Sequence, residues 1–449
     1  MRTYEIKEEQ LVIQTELPLL SIQKIKMVHQ QNQHGRIQIW AEAAQQDQER
    51  ILSTDWSDTK ILFYRKGEEK EPFFHGRMEK LISREAHRLF ALEIFGVGET
   101  IVLDREKKKR SFQRREMTYK EIVRQVMLDY PNGTMIWVQE NRAIKTPILQ
   151  YEETDWEFLK RLGSHFHAKL TADLKTGKPA FFFGMSTGNQ REIEETEVTG
   201  MGFPSDYYWN GSYQDKLEKS QAFCLEVRNR KNWQIGDWVV CQGKTCYVFE
   251  RSVVLESGEL VCNYRLGARG MFYQKKCYPT ALIGARLEGT IQKCEGESVY
   301  LQLDIDTRPC ADYPWDWTPE TNNLCYCMPE VGTRAVLYLP TREEKDGQVI
   351  LAAVSSQSRQ ERIPQEREFF TKDQKRIGLY PNQLFLEGSG ANEVLSLEDS
   401  TGILIWSEKG ISFQAEKEIR ICGKKIIGTA LEEVVCRTSP FECCYLPGS

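Results

Sequence analysis

Leu395-Ser396-Leu397, Ile403-Leu404-Ile405, Ile411-Ser412-Phe413 and Ile419-Arg420-Ile421 set an apolar pair in one phase every eight residues. Gly402 and Gly410 each stand just before such a pair, Ser396 lies within one, and Gln414, Glu416, Lys417 and Glu418 lie between the pairs. The two members of a pair share one face of a strand. Two inward side chains per repeat cannot make a core inside one chain, so the pattern calls for stacked or intertwined copies, as in β-solenoids and β-helices. Three chains wound together bury the pairs Leu395/Leu397, Ile403/Ile405, Ile411/Phe413 and Ile419/Ile421 most economically; a single-chain solenoid is the alternative. Trp406 breaks the polar spacing and fits a groove between chains.

Working outward, 429–449 is a tail without octad phase, and 356–388 is polar and charged, contains Pro364, and reads as a linker. Residues 277–355 alternate over 287–291, 299–303, 335–339 and 349–351, punctuated by glycines, which predicts a five-stranded OB-like barrel. Residues 201–276 and 1–104 read as two small β-barrels, the first of these with strands at 224–227, 238–241, 246–249 and 260–264. Between these barrels, 105–200 is an α/β insert. It opens with a basic run, 105–115, read as a solvated linker rather than a phosphate-binding patch because Phe112 is its one aromatic. Thr118 with Glu121, and Thr154 with Glu157, are capping boxes that start two helices. Phe166, Ala168 and Leu170 alternate into a strand that forms a hairpin with Phe181–Phe183. The fold class is therefore mainly β with an α/β insert: two small barrels, an OB-like barrel and a short C-terminal intertwined β-helix at 389–428.

The whole chain has 449 residues, which fits three to four domains of ordinary size. Its formal charge of −5 makes it no general magnet for nucleic acid. All 13 cysteines lie between Cys224 and Cys444, an odd number that forbids complete internal pairing. No secretory leader and no apolar run of membrane-spanning length is read, so synthesis in the cytoplasm is expected. Cys325-Tyr326-Cys327 and Cys443-Cys444 lack the second pair that zinc sites use. His165 and His167 share a face if their segment is a strand, but no metalloprotease helix surrounds them. No nucleophile-elbow or phosphate-loop motif occurs. The sequence thus predicts no catalytic residue, cofactor or metal.

Four segments, in this order, resemble the VgrG and phage late-control D family of baseplate hub–spike proteins. They are Arg110-Ser111-Phe112-Gln113 with Met117-Thr118-Tyr119; Gln150 to Leu162, which reads QYEETDWEFLKRL; Met328 to Pro340; and the octads from Leu395. The resemblance spans about residues 1–428. It implies a structural protein that joins the tube of a contractile injection system or phage tail to a puncturing needle. The implied partners are two further copies in a homotrimer, a hexameric tube protein, other baseplate proteins, a tip or effector protein at the needle end, and transiently a target membrane, with no nucleic acid. The implied destination is an injection particle or virion tail. A tail-associated cell-wall hydrolase or peptidase, and a carbohydrate-binding fibre tip, are the alternatives. The octads stop near Ile427, which fits a short needle or a truncated or frame-altered copy. The interval 356–389 has no room for a lysozyme-like insertion.

Overall fold

Strict apolar–polar alternation builds the first sheet. Its strands are β1 (Arg2–Ile6), β2 (Leu11–Thr15), β3 (Ser21–Gln30), β4 (Arg36–Ala44), β5 (Lys60–Arg65), β6 (Phe74–Ala86) and β7 (Leu89–Gly98), with a short helix α1 (Gln48–Ser53) after β4. In β4, Ile37, Ile39, Ala41 and Ala43 are buried and the residues between them are not. The computed structural model describes residues 1–86, 89–203, 223–318, 328–353, 365–371, 373–432, 434–437 and 442–445. The chain divides into two compact units, Met1–Ser355 and Ser356–Ser449.

The insert follows with β8 (Lys107–Phe112), α2 (Tyr119–Met127), β9 (Thr134–Trp137), β10 (Ile148–Thr154), α3 (Asp155–Ser164), β11 (Leu170–Ala172) and β12 (Ala180–Phe183). Both capping boxes form. Thr118 Oγ1 accepts from the Glu121 N–H at 3.3 Å, and the Glu121 carboxylate accepts from the Thr118 N–H at 2.7 Å. The same exchange joins Thr154 and Glu157 at 3.1 and 3.0 Å. Met117 and Ile122 flank the first box and share the buried insert core with Trp156, Phe158 and Phe181. Thr118→Ala is therefore expected to lower stability by about 0.5–2 kcal/mol. Urea unfolding measures it, and a midpoint equal to the parent protein's would contradict it.

Two local expectations are corrected in the insert. The basic run is not a linker: β8 pairs antiparallel with β10, from Ile148↔Phe112 to Thr154↔Lys107. The residues from Phe166 to Leu170 are not one strand. Ala168 N–H and Phe166 N–H both bond back to Gly163 O, which closes the end of α3 as a turn, and extended pairing starts only at Leu170. A Cβ at Gly163 would meet Ala168 O at 2.7 Å, so the close approach that makes this turn needs glycine. The hairpin of β11 with β12 forms as expected, Leu170 opposite Phe183.

Beyond the insert lie β13 (Val198–Gly202), β14 (Cys224–Asn229), β15 (Trp238–Cys241), β16 (Lys244–Glu256) and β17 (Glu259–Gly267). Among the described residues, the strands expected for two separate hub barrels make one twelve-stranded sheet. Its order is β1-β2-β5-β6-β7-β4-β3-β16-β17-β14-β13, with β15 on β16. The join is β3 against β16, from Gln30↔Glu250 to Lys24↔Glu256. Each of these long strands would otherwise carry a free row of backbone N–H and C=O groups, and pairing them satisfies both edges. One core of Leu, Ile, Val and Phe side chains runs across the join.

The next five strands are β18 (Arg286–Glu295), β19 (Ser298–Leu303), β20 (Pro314–Trp317), β21 (Arg334–Tyr338) and β22 (Gln348–Ala353). They close as β18-β19-β20-β22-β21 with β21 back on β18, and β20 runs parallel to β22. This is a five-stranded Greek-key barrel of the OB type. Trp315 fills it, fully buried among Leu287, Ile291, Leu301 and Leu337.

In the second unit, β23 (Arg367–Phe370), β24 (Arg376–Tyr380), β25 (Gln383–Glu387), β26 (Glu393–Glu398) and β27 (Gly402–Ser407) form an antiparallel meander, and β28 (Val434–Arg437) pairs with β29 (Glu442–Tyr445). The expected linker 356–388 is thereby corrected over 367–387, while 356–364 lies outside the described residues. Ile377/Leu379 and Leu384/Leu386 alternate on either side of Pro381-Asn382, which gives a hairpin its two apolar half-faces and its turn.

Candidate functional sites: the insert junction and the octad face

The basic strand β8 is the middle of a junction. Lys108 Nζ and Arg110 Nη2 hold the fully buried Asp155 carboxylate at 2.9 and 2.5 Å, and Tyr130 Oη donates to it at 2.6 Å. Lys108 also pairs with Asp129, and Lys109 with Glu152. These cations are neutralised by the chain's own carboxylates, so the run does not present a free phosphate-binding stripe.

From the other edge of this region the insert grips the OB-type barrel. Asp306 accepts from Ser111 N–H at 2.6 Å and Ser111 Oγ–H at 2.5 Å; burial raises its pKa against the lowering effect of these two bonds. Buried Gln113 donates to Leu301 O and accepts from Trp315 Nε1, both at 3.1 Å. Arg161 on α3 is 2% exposed and forks between two carboxylates, Glu153 at 2.8 Å and Glu344 of the barrel at 2.8 Å, while Nη2 donates to Leu149 O at 2.7 Å. Toward the hub sheet, Asn32 N–H donates to Leu170 O, Asn32 Oδ1 accepts from Leu170 N–H, and Trp156 Nε1 donates to Asn32 O. Insert, hub sheet and barrel are thus bonded into one body. Gln113 and Arg161 stand in segments that carry the resemblance, but their bonds to the barrel, like those of Trp315 and Asp306, are not legible in sequence because the partners are distant in the chain.

His165 caps α3, with its Nδ1 2.9 Å from Tyr119 Oη, and His167 lies in the following turn against Tyr273. They do not share a strand face, which corrects that expectation. Burial, then the nearby charges of Arg161, Lys276 and Arg142, push the His165 pKa down to about 3. The unfolded chain binds a proton at His165 near pH 6.5 and the folded chain does not. Its contribution to stability is therefore present above about pH 6.5 and is lost as pH falls toward 3. Replacing His165 by Phe should flatten the pH dependence of the urea midpoint between pH 6.5 and 4; an unchanged slope would exclude this residue as its source.

The octad residues divide. Leu395 and Leu397 lie on β26, and Ile403 and Ile405 on β27, with Leu395 opposite Ile405 and Leu397 opposite Ile403. Ile411, Phe413, Ile419 and Ile421 lie outside named strands. In the single chain Ile403 is 72% exposed, Phe413 65% and Ile421 71%. Two cross-strand rows continue the face upstream. One is Phe369-Ile377-Leu386-Leu395-Ile405 and the other is Leu379-Leu384-Leu397-Ile403. On the opposite face Phe385 lies across Gly378 and Arg376 is paired with Glu368 and Glu387, while Phe370, Leu404 and Trp406 are exposed. Cys325-Tyr326-Cys327 lies outside the described residues, and Cys443-Cys444 is on β29. No helix among the described residues is long and apolar enough to cross a membrane.

No family model matches the chain, and no curated protein matches it. Solved structures do. One is the E. coli c3393 protein, described as a component of the type VI secretion system with structural similarity to the T4 bacteriophage tail proteins gp27 and gp5. It is 12% identical, with 75% of this chain and 98% of that chain covered, at a TM-score of 0.55. Another is the Francisella PdpA–VgrG complex in its half-lidded form, 9% identical over 88% of this chain and 87% of that chain, at a TM-score of 0.55. The lidless form of the PdpA–VgrG complex is 10% identical over 86% and 93%, at 0.53. This chain therefore shares its fold with these solved structures.

Proposed function

We propose that the chain is the structural hub–spike of a contractile injection system or phage tail baseplate, joining a tube to a puncturing needle. Its work is mechanical and non-enzymatic. The observation that carries this reading is the exposed two-row apolar face of β23 to β27, continuous with the octad residues of β26 and β27. A contiguous face of this kind marks an association surface, and identical copies present it in register. Three copies then bury Leu395, Leu397, Ile403, Ile405, Ile411, Phe413, Ile419 and Ile421 around one axis. The bonded junction of insert, hub sheet and barrel is suited to passing thrust without a chemical step. In this reading the hub meets a hexameric tube protein and other baseplate proteins. The needle end takes a tip or effector protein and touches a target membrane in passing, and nucleic acid is not a partner. The chain is made in the cytoplasm and reaches its target inside the assembled particle.

Light scattering on the purified chain tests this reading: a trimer mass is expected at micromolar concentration, and a stable monomer would overturn it. Incubation with cell-wall fragments and unfolded protein, with and without chelator, is expected to give no turnover above a heat-treated control.

A further inference from the structure

A second buried site lies where the hub sheet meets the insert. His29 on β3 is directly opposite Arg251 on β16. Side chains so paired project from the same face, here the inward face that also carries Met27 and Val253. Gln31 follows His29 by two residues and is buried too. β11 is held against this end of β3 by the two Asn32–Leu170 hydrogen bonds. Leu170 and Ala172 belong to the insert core, so Thr171 between them turns the other way, toward the hub. Four polar side chains from three strands therefore converge on one seam, each at most 8% exposed.

Their hydrogen bonding is incomplete in one place. Both ring nitrogens of His29, both amide atoms of Gln31, Thr171 Oγ1 and Arg251 Nε have no partner. The Ala172 backbone reaches the His29 ring without hydrogen-bonding geometry. Native interiors satisfy nearly all such groups, so a cluster of six unpaired atoms marks a bound species. Charge narrows its nature. Arg251 is fully buried, and its other nitrogens donate to neutral oxygens: Trp233 O at 3.1 Å, Asn232 Oδ1 at 3.2 Å and Phe73 O at 2.8 Å. Among the described residues it makes no ion pair. Asp237 and Asp173, whose charges reach it, are engaged by Arg191 and by Lys175 N–H with Thr176. A buried cation with no anion in contact is unfavourable.

We propose that this seam binds a small monovalent anion of the halide class, held by Arg251 Nε–H, a His29 ring N–H, the Gln31 amide and the Thr171 hydroxyl. Water would satisfy the dipoles but leave Arg251 with no anion in contact. The Gln31 NH2 faces the anion. By bridging β3, β16 and β11, the ion fastens the insert to the hub sheet.

Crystals of the full chain soaked in bromide test this directly, without a variant that could fail to fold. An anomalous peak within hydrogen-bond distance of Arg251 and His29 is expected; ordered water alone at that position would overturn the proposal. In solution, chloride and bromide should raise the melting temperature by about 2–4 °C in a saturable way at constant ionic strength, relative to gluconate. Thr171→Val should shift the half-maximal halide concentration up about tenfold, the loss of one hydrogen bond. Identical, non-saturating responses to all three anions would also overturn it. Neither readout depends on the oligomeric state.

Discussion

Ile403→Asp is expected to break the association of the chain while leaving each protomer folded. In one chain Ile403 is 72% exposed and sits opposite Leu397, so the meander itself loses little when the side chain changes. In a threefold needle the same substitution acts three times. Burying one Ile is worth roughly 1.5–3 kcal/mol, so about 5–9 kcal/mol of apolar burial is lost per trimer. Three carboxylates are also brought near one axis in a dry interior, where they must take up protons or separate. Ile411→Asp should behave in the same way, and Glu416→Lys should be mild. Phe369→Asp is the sharper companion, because Phe369 begins the upstream row that the octad alone does not include. The measurement is mass by light scattering across a dilution series. A trimer of unchanged strength in both Ile403→Asp and Ile411→Asp would remove the octad face as the association surface.

What was legible in the sequence was local. Thr118/Glu121 and Thr154/Glu157 announce their helices because a capping box is complete within four residues. The barrel strands at 287–291 and 299–303 announce themselves by alternation, and the turn at Glu295–Ser298 joins them. What failed depended on distant partners. The run 105–115 looked solvated because nothing in it reveals that Asp129, Glu152 and Asp155 return to neutralise it. The β3–β16 join, which merges two expected barrels, pairs residues more than 200 positions apart, as Gln30 with Glu250. The misreading of 367–387 was of another kind. Its alternation around Pro381-Asn382 was present but outweighed by the charge of its flanks, and Leu384/Leu386 stand off the octad spacing of Leu395/Leu397.

Arg161→Ala is expected to be the most damaging single change in the first unit. The guanidinium is 2% exposed, and among the described residues it bonds to groups that are themselves sheltered: Glu153, Glu344 and Leu149 O. Removing it leaves two carboxylates of low exposure facing each other across the insert–barrel seam, a loss of about 3–5 kcal/mol. Arg161→Lys should recover part of this, since one ammonium cannot span both carboxylates with the geometry of the planar fork. The triple change Arg161→Met, Glu153→Gln and Glu344→Gln should recover more than Arg161→Ala alone, because it removes the charges together rather than stranding two of them. Urea unfolding gives the stabilities. Amide exchange should show where the loss falls: protection should drop first in Glu344–Ala353 and Leu149–Thr154, while α2 stays protected. Uniform loss of protection across the unit, with Arg161→Lys as unstable as Arg161→Ala, would instead make Arg161 a general packing residue and not the tie between insert and barrel.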